Sequence, residues 1–146
     1  MPCLTDSINN RRILIPVLIT VPSDNETDAE NLNMDNCAQA NALVDTGATR
    51  SCVSQRIADK LKVAPIDKKH VQTAGGVFPK NVYRINFHIP IYYKASSTQG
   101  AVNIKSIYQI DVTQADLPDS CDILLGMDVI MEGSLHVSGG QFTFCT

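Results

Sequence analysis

Residues 41–54 read Asn-Ala-Leu-Val-Asp-Thr-Gly-Ala-Thr-Arg-Ser-Cys-Val-Ser, an apolar run ending in a carboxylate, a small hydroxyl residue and a glycine. A carboxylate held at such a strand end can take or give a proton during a reaction. Thr46 offers a donor and an acceptor to fix the turn, and Gly47 lets backbone approach a ligand closely. Asp and Gly are also ordinary turn residues, so Asp45 alone could be structural. A second signal lies 79 residues downstream of Asp45, in Leu124-Leu125-Gly126 within Asp122-Ile123-Leu124-Leu125-Gly126-Met127-Asp128. It reads as a short buried strand closed by a glycine and followed by a helix start.

The elements that must position these residues are mostly strands. Ala42–Val44 reads as the strand that carries Asp45, and Ile13–Val21 as an apolar strand that Pro16 confines to an edge or a bulge. The polar stretch 22–40 reads as a long loop or insertion. Ser54 is an N-cap for a short helix with Ile57, Ala58 and Leu61 on one face. Thr73-Ala74-Gly75-Gly76 is a hairpin signal. Tyr83, Ile85, Phe87, Ile89 and Ile91 alternate with polar residues and Pro90, as a half-buried strand does. Val102, Ile104, Ser106, Tyr108, Ile110 and Val112 form a second alternating run, joined to the first by a turn at 96–100. Leu135 and Val137, Gly139-Gly140, then Phe142 and Phe144 read as a terminal hairpin. Many short strands with one or two short helices imply an all-β, closed barrel.

Composition bounds the rest. The 146 residues suffice for one domain with a real core, and 44% are hydrophobic. A net charge of −3 provides no basic footprint for nucleic acid or an anionic membrane. Ile13–Val21 is too short to span a bilayer and lacks a secretory cleavage pattern, so the expectation is a cytosolic, stand-alone protein. The five cysteines (Cys3, Cys37, Cys52, Cys121, Cys145) include no C-x-x-C pair and read as reduced thiols. Cys52 in particular reads as a buried, inert thiol. His70, His88 and His136 are isolated, and no metal or other cofactor is expected.

The two motifs and their spacing resemble the retropepsins, the aspartic proteases of retroviruses and retrotransposons, and their bacterial and eukaryotic cellular relatives. The resemblance spans about residues 12–145. It implies a retropepsin-like barrel with Asp45 catalytic, Thr46, Gly47 and Ala48 forming the active-site turn, and Leu124, Leu125 and Gly126 bracing it from beneath. It also implies that Gly47 and Thr49 line a substrate cleft, with Ala74, Gly75 and Gly76 at the tip of a flap. Retroviral members pair an acidic residue at the position of Thr49 with an arginine at that of Met127. Neither is present here, which places the chain nearer the cellular and bacterial members.

Such enzymes use two carboxylates, and this chain has a single Asp-Thr-Gly; Asp119-Ser120-Cys121 lacks the glycine. The resemblance therefore implies a homodimer in which Asp45 of each copy meets at a two-fold axis. The function expected is an aspartic endopeptidase acting on extended peptide. The alternative is a peptide-binding or assembly module that keeps the fold without the chemistry. Asp128 could be taken for a second acid, but its place at a helix start favours a capping or dipole role.

Overall fold

A computed structural model describes residues 2–22, 37–93, 101–117 and 121–146. In chain order the elements are β1 (Cys3–Ser7), β2 (Leu14–Thr20), β3 (Cys37–Val44), β4 (Cys52–Val53), α1 (Gln55–Leu61) and β5 (Asp67–Thr73). There follow β6 (Gly76–Tyr93), β7 (Ala101–Gln114), β8 (Ile123–Leu125), α2 (Met127–Ile130), β9 (Ser134–Ser138) and β10 (Gln141–Cys145). The strands run β2-β3-β8-β4-β7-β6, and β2 pairs again with β6, closing a six-stranded mixed barrel. β5 extends from it as the outer arm of a hairpin with β6, and β1-β10-β9 form a separate terminal sheet.

Period-two alternation fills the barrel. Ile15, Val17 and Ile19 of β2 and Tyr83, Ile85, Phe87, Ile89 and Ile91 of β6 point inward and are buried. They meet Val53, Ile123 and Leu125 from the short strands and Ile57, Ala58 and Leu61 from α1. The helix starts where expected, because Ser54 Oγ accepts the Ile57 N–H at 3.3 Å. It ends at Lys62, whose left-handed φ of 53° lets its N–H reach the last carbonyls. Arg56 at its surface pairs with Asp122.

Pro16 behaves as expected. β2 pairs with β3 along its whole length but with β6 only through Leu18–Thr20. Continuing that register would set Pro16 against Pro90, two residues with no N–H to give, and there the ladder opens.

Three expectations need correction. The polar stretch is strand from Cys37 onward, because Cys37–Ala40 pair with Val17–Thr20 of β2; the rest of it, 23–36, lies outside the described residues. The alternation expected through 102–112 changes phase within β7, where Ile110 opposes Ile85 but Ile107, not Tyr108, opposes Phe87. One extra residue is inserted, Gln109 takes a φ of 55°, and its N–H donates to Asn86 Oδ1 at 2.9 Å. Val112 and Ile107 are consequently buried while Ile104 and Tyr108 face outward. The turn expected at 96–100 lies outside the described residues.

The third correction concerns the cysteines. Cys3 and Cys145 form a disulfide. They are direct partners in the β1–β10 register, so the pairing of the two chain ends brings together thiols 142 residues apart. Cys37, Cys52 and Cys121 remain thiols. The terminal hairpin itself is as expected, with Gly139 and Gly140 at φ 58° and 77° forming its two-residue turn. No described helix is long and apolar enough to cross a membrane.

Candidate active site

β3 lies parallel to β8, with Leu43 opposite Leu124 and Val44 opposite Leu125. The two motifs are therefore adjacent in space, and the backbone joins them directly. Asp45 N–H donates to Leu125 O at 2.9 Å. The Asp45 carboxylate accepts the Gly47 N–H at 2.9 Å, and the Ala48 N–H closes the turn on Asp45 O at 3.2 Å. Asp45 is half-buried, and Thr46 and Gly47 are exposed at the tip. A Cβ on Gly47 would sit 3.2 Å from Asp45 Oδ1, crowding the carboxylate.

Gly126 closes the site from below. A Cβ there would lie 2.7 Å from the Arg50 carbonyl carbon and 2.8 Å from Ala48 O, distances no side chain tolerates against backbone. Its absence lets Met127 N–H reach Ala48 O at 2.8 Å and Asp128 N–H reach Thr49 O at 3.3 Å. The chain after the turn is thus held by main-chain bonds at Ala48 and Thr49. Leu125 is buried in the core while Leu124 is half-buried.

Sequence reasoning missed Ser51. It is completely buried; its Oγ accepts the Gly126 N–H at 3.0 Å and donates to Asp128 Oδ1 at 2.7 Å. Its own N–H donates to Asp128 Oδ2 at 3.0 Å. Asp128 therefore does not cap α2. It lies in the first turn, where the helix dipole favours it, but its oxygens are spent on Ser51 across 77 positions of sequence. A Ser three residues before a helix N-cap carried no signal of such a partner.

Cys52 is partly exposed rather than buried. Its thiol is held protonated, by partial burial first and then by the negative charges of Asp128 and Asp45. A raised pKa disfavours the reactive thiolate.

The β5–β6 hairpin turns at Ala74-Gly75, and Gly76 takes a φ of 126°. Thr73 Oγ1 accepts the Gly75 N–H at 3.3 Å and donates to Gly76 O at 3.2 Å, stiffening the tip. Every residue from Gln72 to Pro79 is exposed, including the apolar pair Val77 and Phe78. Elsewhere a groove of ≈ 500 Å³ opens on the outer face of the barrel, lined by Pro16, Leu18, Asn41, His88, Pro90 and Ile104. It contains no residue of the Asp45 turn. His88 at its floor is occupied by Thr20 and Ser106.

A family model described as aspartyl protease matches residues 31–129. The chain belongs to that family, in its retropepsin-like form. Among solved structures it is similar to a retropepsin-like aspartic protease from Rickettsia conorii, at 15% identity and a TM-score of 0.58. That match covers 97% of this chain and 89% of the other, and it shows a shared fold. No curated protein matches the chain.

Proposed function

We propose that the protein is a homodimeric aspartic endopeptidase whose reacting groups are Asp45 of one copy and Asp45 of a second. The observation that carries this reading is the Asp45 turn: a half-buried carboxylate that accepts the Gly47 N–H, on a residue whose backbone N–H donates to Leu125 O, in a chain of the aspartyl protease family. A turn aspartate with only a structural task would not require bracing by a second motif from another strand.

One carboxylate cannot perform the chemistry. Two placed about 3 Å apart share a proton, because both cannot ionise together. The ionised member takes a proton from a water as that water attacks the scissile carbonyl, and the protonated member donates to the carbonyl oxygen. The apparent pKa values belong to the pair, so activity is bell-shaped in pH. Thr46, exposed at the tip, is placed to bind the partner's backbone across the axis. The backbone at Gly47 and Thr49 lines the cleft, and the hairpin tip at Ala74, Gly75 and Gly76 closes over substrate and excludes water. An extended peptide binds by strand-like pairing, with apolar pockets selecting its side chains.

The test is cleavage of a peptide library by wild type and Asp45→Asn, across pH and across about a hundredfold range of concentration that straddles a micromolar dimer constant. The expected result is cleavage by wild type alone, with specific activity rising with concentration. Equal cleavage by Asp45→Asn overturns the mechanism. Peptide binding by wild type without turnover at any pH would instead favour a binding module.

A further inference from the structure

The β5–β6 hairpin carries charge that its fold does not call for. Asp67, Lys68 and Lys69 on β5 and Lys80 on β6 make it positive in a chain of net charge −3. Lysines on a free edge keep other strands away, which accounts for Lys68 and Lys69. It does not account for Lys80, which the register sets directly opposite Lys69. Like charges directly opposed destabilise a strand pair. Among the described residues Lys69 has no ion-pair partner, and Lys80 meets Asp116 at 3.6 Å, a carboxylate whose side chain is 96% exposed.

Opposed residues share a face, and alternate rungs of a hairpin share it with them. Val71 and Phe78, then Lys69 and Lys80, therefore form one row running back from the tip. Phe78 is exposed and Val71 half-buried. Lys68 and His70 lie on the opposite face, against Asn81 and Pro79. Asp116 tells which way the row looks. It lies on the link from β7 to β8, and β8 carries the Leu124-Leu125 brace of the Asp45 turn. Two bonds hold the start of that link beside the chain that leaves the turn. Thr113 N–H donates to Ser51 O at 3.3 Å, and Ala115 N–H to Val53 O at 3.0 Å. The face that bears Lys80 is thereby turned toward the side of the molecule that holds Asp45.

We propose that this row selects the substrate: an extended peptide meets Val71 and Phe78 with apolar side chains, and Lys69 and Lys80 with an acidic one. The inference rests on the endopeptidase reading above and names the class of peptide it takes. Charge complementarity names the acidic group, because a carboxylate between the two ammonium groups offsets the repulsion that the register imposes. Rungs two residues apart stand about 7 Å apart along a strand. In a peptide lying along the hairpin, the acidic residue is then about two positions from the apolar one. Two copies bring two hairpins, so acid is read on both sides of the cut. Asp116 yields Lys80 easily, since an exposed ion pair contributes little.

The test is a matched peptide set, one apolar centre flanked by Glu, Gln or Lys. Cleavage by the full chain is read as kcat/KM, and binding to wild type and Asp45→Asn by fluorescence anisotropy. Wild type should prefer the Glu peptide over the Gln peptide by at least about threefold at low salt, and the preference should fade as salt rises. Lys69→Glu should invert the order, so that the Lys peptide leads. Lys68→Glu, the same charge change on the opposite face, should leave the Glu peptide ahead. Lys69→Glu sets opposite charges across the hairpin, so its melting temperature should not fall below that of wild type. A wild type blind to charge, an unchanged order in Lys69→Glu, or an equal inversion in Lys68→Glu overturns the row. The protease reading is judged separately: peptides bound in the order Glu, Gln, Lys without being cut keep the row and refute the enzyme. Cleavage indifferent to charge does the reverse, and peptides neither bound nor cut overturn both.

Discussion

Ser51, Asp128 and Gly126 form one hydrogen-bonded unit beneath the Asp45 turn, and its members depend on each other. Ser51→Ala would leave the buried Gly126 N–H without its acceptor and take one donor from the half-buried Asp128 carboxylate. The expected cost is about 1–3 kcal/mol, the usual penalty for orphaning buried polar groups; Ser51→Thr should recover part of it. Urea unfolding of both variants checks this, and a Ser51→Ala protein as stable as wild type would sever the brace from stability. His88 is a second residue-scale case. Thr20 Oγ1 and His88 Nε2 hydrogen-bond at 2.8 Å, His88 Nδ1 and Ser106 Oγ at 2.7 Å, and Asn86 Nδ2 donates to Thr20 Oγ1 at 3.2 Å. Burial favours the neutral ring and lowers its pKa from 6.5. The unfolded chain then binds the proton more readily than the folded one. Stability from this group is full above about pH 6.5 and falls as pH drops toward the folded value, by at most ~1.4 kcal/mol per pH unit. His88→Gln should flatten that slope in a pH series of urea midpoints, and an unaltered slope would place it on other groups.

Among the elements, the terminal sheet owes the most to a covalent link. The Cys3–Cys145 disulfide closes a loop of 142 residues, and constraint of the unfolded chain over so long a loop stabilises by several kcal/mol in the entropic account. Cys145→Ser should lower unfolding stability by about 2–4 kcal/mol. Added reductant should lower wild type to the same value and leave the variant unchanged. If reductant moves both equally, another cysteine is responsible. The β5–β6 hairpin shows the opposite economy. It has no core of its own, and Val77 and Phe78 stay in solvent. An arm so short of buried contacts is expected to open more readily than the barrel strands, as the closing role proposed for its tip requires.

For the whole molecule, the barrel places one carboxylate on an exposed turn. Under the proposed function that site is completed by the Asp45 of a second copy. If the proposed function holds, dilution should therefore lower specific activity, and a concentration series of peptide cleavage checks it; specific activity independent of concentration would point to a site complete in one chain.

The sequence alone determined the local features. Asp45-Thr46-Gly47 as a turn, Ser54 as a helix cap, Ala74-Gly75 and Gly139-Gly140 as hairpin turns, and the inward face of β6 all depend on residues within a few positions of one another. Alternation and turn chemistry are properties of such short windows, so the all-β class was legible there, whereas the candidate site was read through the resemblance that its two motifs carry together. Tertiary structure decided whatever required two distant segments to meet in a particular register. The Ser51–Asp128 bond, the Cys3–Cys145 disulfide and the phase change at Gln109 each depend on which strand lies beside which. A register is a cooperative outcome of burial along whole strands, and a shift by one residue turns every side chain to the other face. No local window in this chain carries that information.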